Sequence, residues 1–100
     1  LLEPGVPVVA AVPETPDRDK TIGNMQECRA RGAPVIAIAT RGDGAIAGHC
    51  DDVIRIPPCP PWLAAVPVVV AEQLLAYHVA RERGCAIDQP RNLAKSVTVE

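Results

Sequence analysis

At 100 residues and 48% hydrophobic composition, the chain is long enough for one domain with a buried core, too short for two, and too apolar to be disordered. A net charge of −2, with Lys and Arg scattered along the sequence, argues against a nucleic-acid surface. The apolar stretch Trp62 to Ala71 is shorter than a bilayer span and contains Pro67, so a soluble, cytoplasmic protein with no membrane partner is expected.

The sequence opens at Leu1 with no initiator Met and no signal-peptide pattern, which reads as a segment of something longer. Val6 to Val12 is a continuous apolar run, the pattern of a strand buried on both faces. Thr15-Pro16-Asp17 then carries helix-start chemistry: a hydroxyl to cap, Pro at the first position, and a carboxylate near the positive helix end. Ile22, Met25 and Cys28 share one helical face, and Gly32 follows Arg29 and Arg31 as a natural stop.

Pro34 to Thr40 is a second continuous apolar strand. A Gly-rich stretch, Arg41 to Gly48, reads as a flexible surface loop, and Val53 to Ile56 as a short third strand before Pro57-Pro58. Strand, helix, strand, loop, strand predicts right-handed crossovers and a parallel sheet. Trp62 to Arg83 reads as one long helix ending at Gly84, with Pro67 in its first turn or at a kink. Its apolar stripe comprises Ala64, Val68, Ala71, Leu75, His78 and Val79. Three buried strands need a layer on each face, so the sheet is expected to continue into sequence outside this chain.

The residues that could carry chemistry are few. Gly42 to Gly48 mimics a dinucleotide-binding turn, but its final glycine falls one residue late and no proper helix with a distant acid follows. His49 beside Asp51-Asp52 could be a base with its orienting carboxylate, yet no nucleophile is placed to use it, and a solvated loop histidine is the plainer reading. His78, on the helical stripe, reads as a packed, hydrogen-bonded histidine. Cys28, Cys50, Cys59 and Cys85 lie far apart without a C-x-x-C pair and read as reduced structural thiols. His49-Cys50 with Cys59 is the nearest approach to a metal set, and no metal or cofactor is expected. Lys95 sits in a tail with no strong secondary-structure signal, and from spacing alone an exposed lysine is the default.

The tail changes that reading. Asp88-Gln89-Pro90-Arg91-Asn92-Leu93-Ala94-Lys95-Ser96-Val97-Thr98-Val99-Glu100 resembles the C-terminus of the glucosamine-6-phosphate synthases, or glutamine–fructose-6-phosphate aminotransferases. Gln73 to Ala80 is similar to that family's final helix, Gly23 to Glu27 with Arg29 to Gly32 to its helix–glycine pattern, and Leu2 to Val9 to its strand entry. The match is looser between Arg41 and Ala71.

The resemblance implies an α/β sandwich of the sugar-isomerase (SIS) type. It is present here in part: 1–87 as most of the second SIS domain and 88–100 as an active-site tail. It implies a parent enzyme that turns fructose-6-phosphate and glutamine into glucosamine-6-phosphate and glutamate, working as a homodimer with a first SIS domain and a glutamine amidotransferase domain outside this chain. By the same match, Lys95 would form a Schiff base with the open-chain ketose, and Ala94 would contact the sugar through its backbone. None of the four cysteines would inherit the amidotransferase role. Two rivals stand beside this: a non-catalytic SIS module that binds a sugar phosphate, and a structural, dimer-forming fragment.

Overall fold

The computed structural model describes residues 5–85 and 87. Three strands, β1 (Val8–Val12), β2 (Val35–Thr40) and β3 (Asp52–Ile56), form a parallel sheet in the order β1-β2-β3. Val8 pairs with Val35 and Val12 with Ala39; Ile36 pairs with Asp52 and Thr40 with Ile56. The middle strand has five of its six residues buried, which is why its apolar run is continuous rather than alternating. β1 begins two residues later than its apolar run. Pro7, with no N–H, cannot donate to a ladder, and Val6 is exposed.

Helix α1 (Arg18–Ala30) crosses one face of the sheet and sets Ile22 and Met25 against Val12, Val35, Ala37 and Ala39. Helix α2 (Ala65–Glu82) lies on the other face, where Val68 and Ala71 pack on Ile38 and Ile56. The result is an α/β sandwich of three layers. Both helices close in a Schellman motif. Gly32 and Ala33 donate to the carbonyls of Arg29 and Cys28, and Gly84 and Cys85 donate to those of Arg81 and Ala80. The two glycines take φ of 85° and 71°, the left-handed conformation this closure needs.

Several expectations need correction. Helix α1 starts at Arg18 rather than at Pro16, and Thr15 makes no side-chain cap. The N-cap residue is Asp17, whose φ of −87° and ψ of 0° are turn-like instead of extended, so its side chain does not reach back to the first amides. The Gly-rich stretch is no floppy loop. Residues Gly44–His49 form a 3-10 helix whose Ile46 is fully buried in the α1-side core. The long helix is preceded by a separate 3-10 turn, Pro61–Leu63, and Pro67 falls in the first turn of α2, where its missing N–H costs nothing. His78 and Val79 are exposed, so the buried stripe of α2 stops short of them. Together Pro61–Glu82 is long and apolar enough to cross a membrane by length and composition, further than Trp62 to Ala71 alone suggested; here one side of it packs on a sheet.

Candidate functional site

In open parallel sheets, ligands bind at the carboxyl ends of the strands, and here that rim holds a connected polar network. β1 runs into Glu14, whose N–H donates to the Thr40 hydroxyl at the end of β2, 3.2 Å away. β2 runs into a turn in which the Asp43 N–H donates to the Thr40 carbonyl, with Gly42 at φ 96° between them. Asp43 is buried, and its carboxylate accepts two hydrogen bonds from Arg18 at the start of α1, at 2.9 and 2.8 Å. Arg55, from β3, donates from one guanidinium nitrogen, Nη1, to both the Thr40 and Asp43 carbonyls, at 3.1 and 2.7 Å. All three strand exits are thereby tied together.

The arrangement is structurally satisfied: among the described residues no buried side-chain nitrogen or oxygen lacks a partner. It can hold loop geometry, but it offers no nucleophile. Sequence reading passed over Arg18, Thr40, Asp43 and Arg55. The signal that marks two of them is positional, a hydroxyl and a carboxylate in the strand-end stretch Thr40 to Asp43.

At the opposite edge, His49 does not pair with Asp51 or Asp52. Its Nδ1 lies 3.1 Å from the Gln26 side-chain amide. Asp51 instead accepts the Val35 N–H at 2.7 Å, closing the entry of β2, and lies 3.6 Å from Arg29. Cys50 is buried and gives its thiol hydrogen to the Ile46 carbonyl at 3.3 Å; burial pushes the thiol pKa up, away from thiolate chemistry. All four cysteines are free, and among the described residues no group of three or more metal-type side chains gathers.

Two apolar grooves flank α2. One, of ≈ 530 Å³, runs between α2 and β3 and is lined by Ile54, Ile56, Pro67, Val70 and Leu74, with Arg55 and His78 as its polar members. The other lies between Val9 of β1 and the last turns of α2. The helix thus runs back from the rim, with its early turns near Ile56 and Cys85 on the Val9 side. Lys95, Ala94 and the boundary between 87 and 88 lie outside the described residues, so the geometry does not reach the tail.

No protein-family model matches the chain. Curated relatives do, along all 100 residues. The glutamine–fructose-6-phosphate aminotransferases (isomerizing) of Methanosarcina mazei and Thermus thermophilus are 50% and 52% identical to it. Among solved structures, the C-terminal domain of glucosamine-fructose-6-phosphate aminotransferase from Francisella tularensis superposes with a TM-score of 0.74 at 32% identity, over 88% of this chain and 25% of that one. Along its whole length, this chain is thus similar to one part of that aminotransferase. It spans 16% of the length of the Methanosarcina relative and 17% of the Thermus one. Its layers match part of that C-terminal domain.

Proposed function

We propose that this chain is the distal part of the isomerase half of an aminotransferase that makes glucosamine-6-phosphate from fructose-6-phosphate and glutamine, with residues 1–87 as scaffold and 88–100 as the active-site tail. The observation that carries the reading is the whole-chain similarity to relatives of that name, joined to the R-N-L-A-K-S-V-T-V-E ending. The parent acts as a homodimer in the cytoplasm, and its first SIS and amidotransferase domains lie in sequence beyond this chain.

In this mechanism the Lys95 amine adds to the C2 carbonyl of the open-chain ketose and water leaves, giving an iminium. Ala94 holds the sugar through its backbone. Ammonia then displaces the lysine nitrogen from C2, regenerating the amine. A carboxylate from outside this chain moves a C1 proton to C2, which leaves an amine on C2 and an aldehyde at C1. The nucleophile must be the neutral amine, so the site has to lower the lysine pKa by burial or a cationic neighbour. Borohydride reduction of the full-length enzyme with fructose-6-phosphate should trap a sugar adduct on the peptide containing Lys95. An adduct on another lysine, such as Lys20, rejects the assignment.

A further inference from the structure

Asp43-Gly44 is the only Asp-Gly step in the sequence, and no Asn-Gly step occurs. Such a step is prone to spontaneous rearrangement, because glycine has no side chain to shield its backbone nitrogen from the neighbouring Cγ. In that reaction the Gly44 nitrogen attacks Cγ of the Asp43 carboxylic acid. The acid hydroxyl and the amide hydrogen leave together as water, and the new N–Cγ bond closes a five-membered succinimide. Water then opens either ring carbonyl, restoring aspartate or leaving isoaspartate, with the backbone rerouted through Cβ and Cγ. Mass is conserved overall, and no reactant other than water takes part.

The fold opposes ring closure on both sides of this step. The Asp43 side chain is 5% exposed, and Arg18 holds both its oxygens at 2.9 and 2.8 Å, which keeps Cγ from turning toward the Gly44 nitrogen. The Asp43 N–H donates to the Thr40 carbonyl at 3.0 Å, and the Asp43 carbonyl accepts from Arg55 at 2.7 Å. Asp43 has ψ of 86°, whereas the succinimide of an L-residue needs ψ of the opposite sign, so closure must also swing that carbonyl off Arg55. The nitrogen itself is unguarded. Gly44 opens the 3-10 segment Gly44–His49, so its N–H precedes the first donor of that ladder. We propose that Asp43-Gly44 is a latent isoaspartate site and that Arg18 is the latch that keeps it shut, with Arg55 holding the backbone half. Release of Arg18 frees the electrophile. The isoaspartate that follows lengthens the backbone by one carbon and displaces the carbonyl that Arg55 binds, so a rim opened in this way cannot close again.

The test is ageing of the full-length enzyme at physiological temperature and pH, as wild type, Arg18→Lys, Arg18→Gln and Met25→Ala. Trypsin releases Gly42 to Arg55 as one peptide, in which Asp51 and Asp52 are internal controls. Isoaspartate at Asp43 is read by electron-transfer fragmentation and, independently, by labelling with an isoaspartyl methyltransferase. The free synthetic peptide sets the unrestrained rate. Met25→Ala opens the buried core beneath α1 and leaves the rim contacts in place, so it reports what general loosening does alone. Wild type should isomerise at least about tenfold more slowly than the peptide, and both Arg18 variants about tenfold faster than wild type, the scale on which loss of a charged hydrogen-bonded pair raises an open population. Arg18→Lys keeps the charge and loses the two-pronged contact, and it decides the matter should Arg18→Gln fail to fold. Three results each overturn the proposal: wild type keeping pace with the peptide, both Arg18 variants matching wild type, or Met25→Ala gaining as much as they do at an equal loss of melting temperature. The readout is independent of sugar turnover, so failure of the enzymatic reading shows separately in the borohydride experiment.

Discussion

Arg18 and Asp43, 25 residues apart in sequence, meet through two hydrogen bonds, Nε to Oδ2 at 2.9 Å and Nη2 to Oδ1 at 2.8 Å. The carboxylate side chain is 5% exposed and the arginine 21%, so the pair is largely out of water and weakly screened. It fastens the first turn of α1 to the turn after β2, at the rim where Arg55 binds the carbonyls of Thr40 and Asp43.

Asp43→Ala should therefore destabilise the fold by about 2–3 kcal/mol, because it leaves a guanidinium half-buried without its acceptor. Arg18→Ala should cost at least as much on its own, since it strands a carboxylate whose side chain is only 5% exposed. The double variant should cost clearly less than the sum, with a coupling of about 1 kcal/mol or more by urea unfolding. Additive effects would show that the bidentate contact contributes nothing.

The sheet was legible in the sequence because each strand is an apolar run bounded by turn residues, and the helix ends because Gly32 and Gly84 are the residues a Schellman closure needs. The rim was not legible, since its contacts join Arg18 to Asp43, Glu14 to Thr40 and Arg55 to Asp43, pairings that no local pattern encodes. The 3-10 segment Gly44–His49 was missed for a related reason. Gly and Ala have weak preferences, and only tertiary burial of Ile46 fixes it. On α2 the stripe was extended to His78 and Val79 by periodicity alone, while the helix stays packed on the sheet only through its first half. The role proposed for Lys95 comes from resemblance, never from spacing.

Two glycines should respond in opposite directions. Gly42 has φ of 96° and Gly23 lies inside α1; at both, an added Cβ meets nothing within 4 Å, so backbone conformation decides. Gly42→Ala should destabilise by about 1 kcal/mol through left-handed strain, and Gly23→Ala should stabilise by about 0.5–1 kcal/mol by lowering the unfolded chain's entropy. Thermal melts of the two variants side by side check the sign.

Cys50 and Cys85 should separate cleanly in thiol labelling. Cys85 is exposed, while Cys50 is buried with a thiol pKa raised chiefly by burial. Iodoacetamide near pH 8 should alkylate Cys85 first and Cys50 only as the fold opens. The same shift has a stability consequence. A thiol that keeps its proton longer in the folded state leaves stability intact below the unfolded pKa of about 8.5 and drains it as pH rises toward the folded value. Cys50→Ala should flatten that alkaline loss; an unchanged alkaline profile would point to other groups.

Lys95→Arg in the full-length enzyme is the substitution that most directly divides scaffold from chemistry. Arginine keeps the positive charge and much of the stem, so folding and any purely electrostatic hold on the sugar phosphate should persist. It cannot supply a neutral amine near physiological pH, so the addition to C2 has no nucleophile. Glucosamine-6-phosphate formation should fall by at least about 100-fold, on the scale of losing a covalent catalyst. Glutamine hydrolysis, which the proposed function gives to a different domain, should survive at least in part, and the melting temperature should stay within a few degrees of wild type. The loss should appear in kcat with little change in KM, because the amine acts after the sugar is bound. A variant that still isomerises the sugar near the wild-type rate would return Lys95 to the status of an ordinary lysine and reopen the reading of this segment as a sugar-phosphate-binding module.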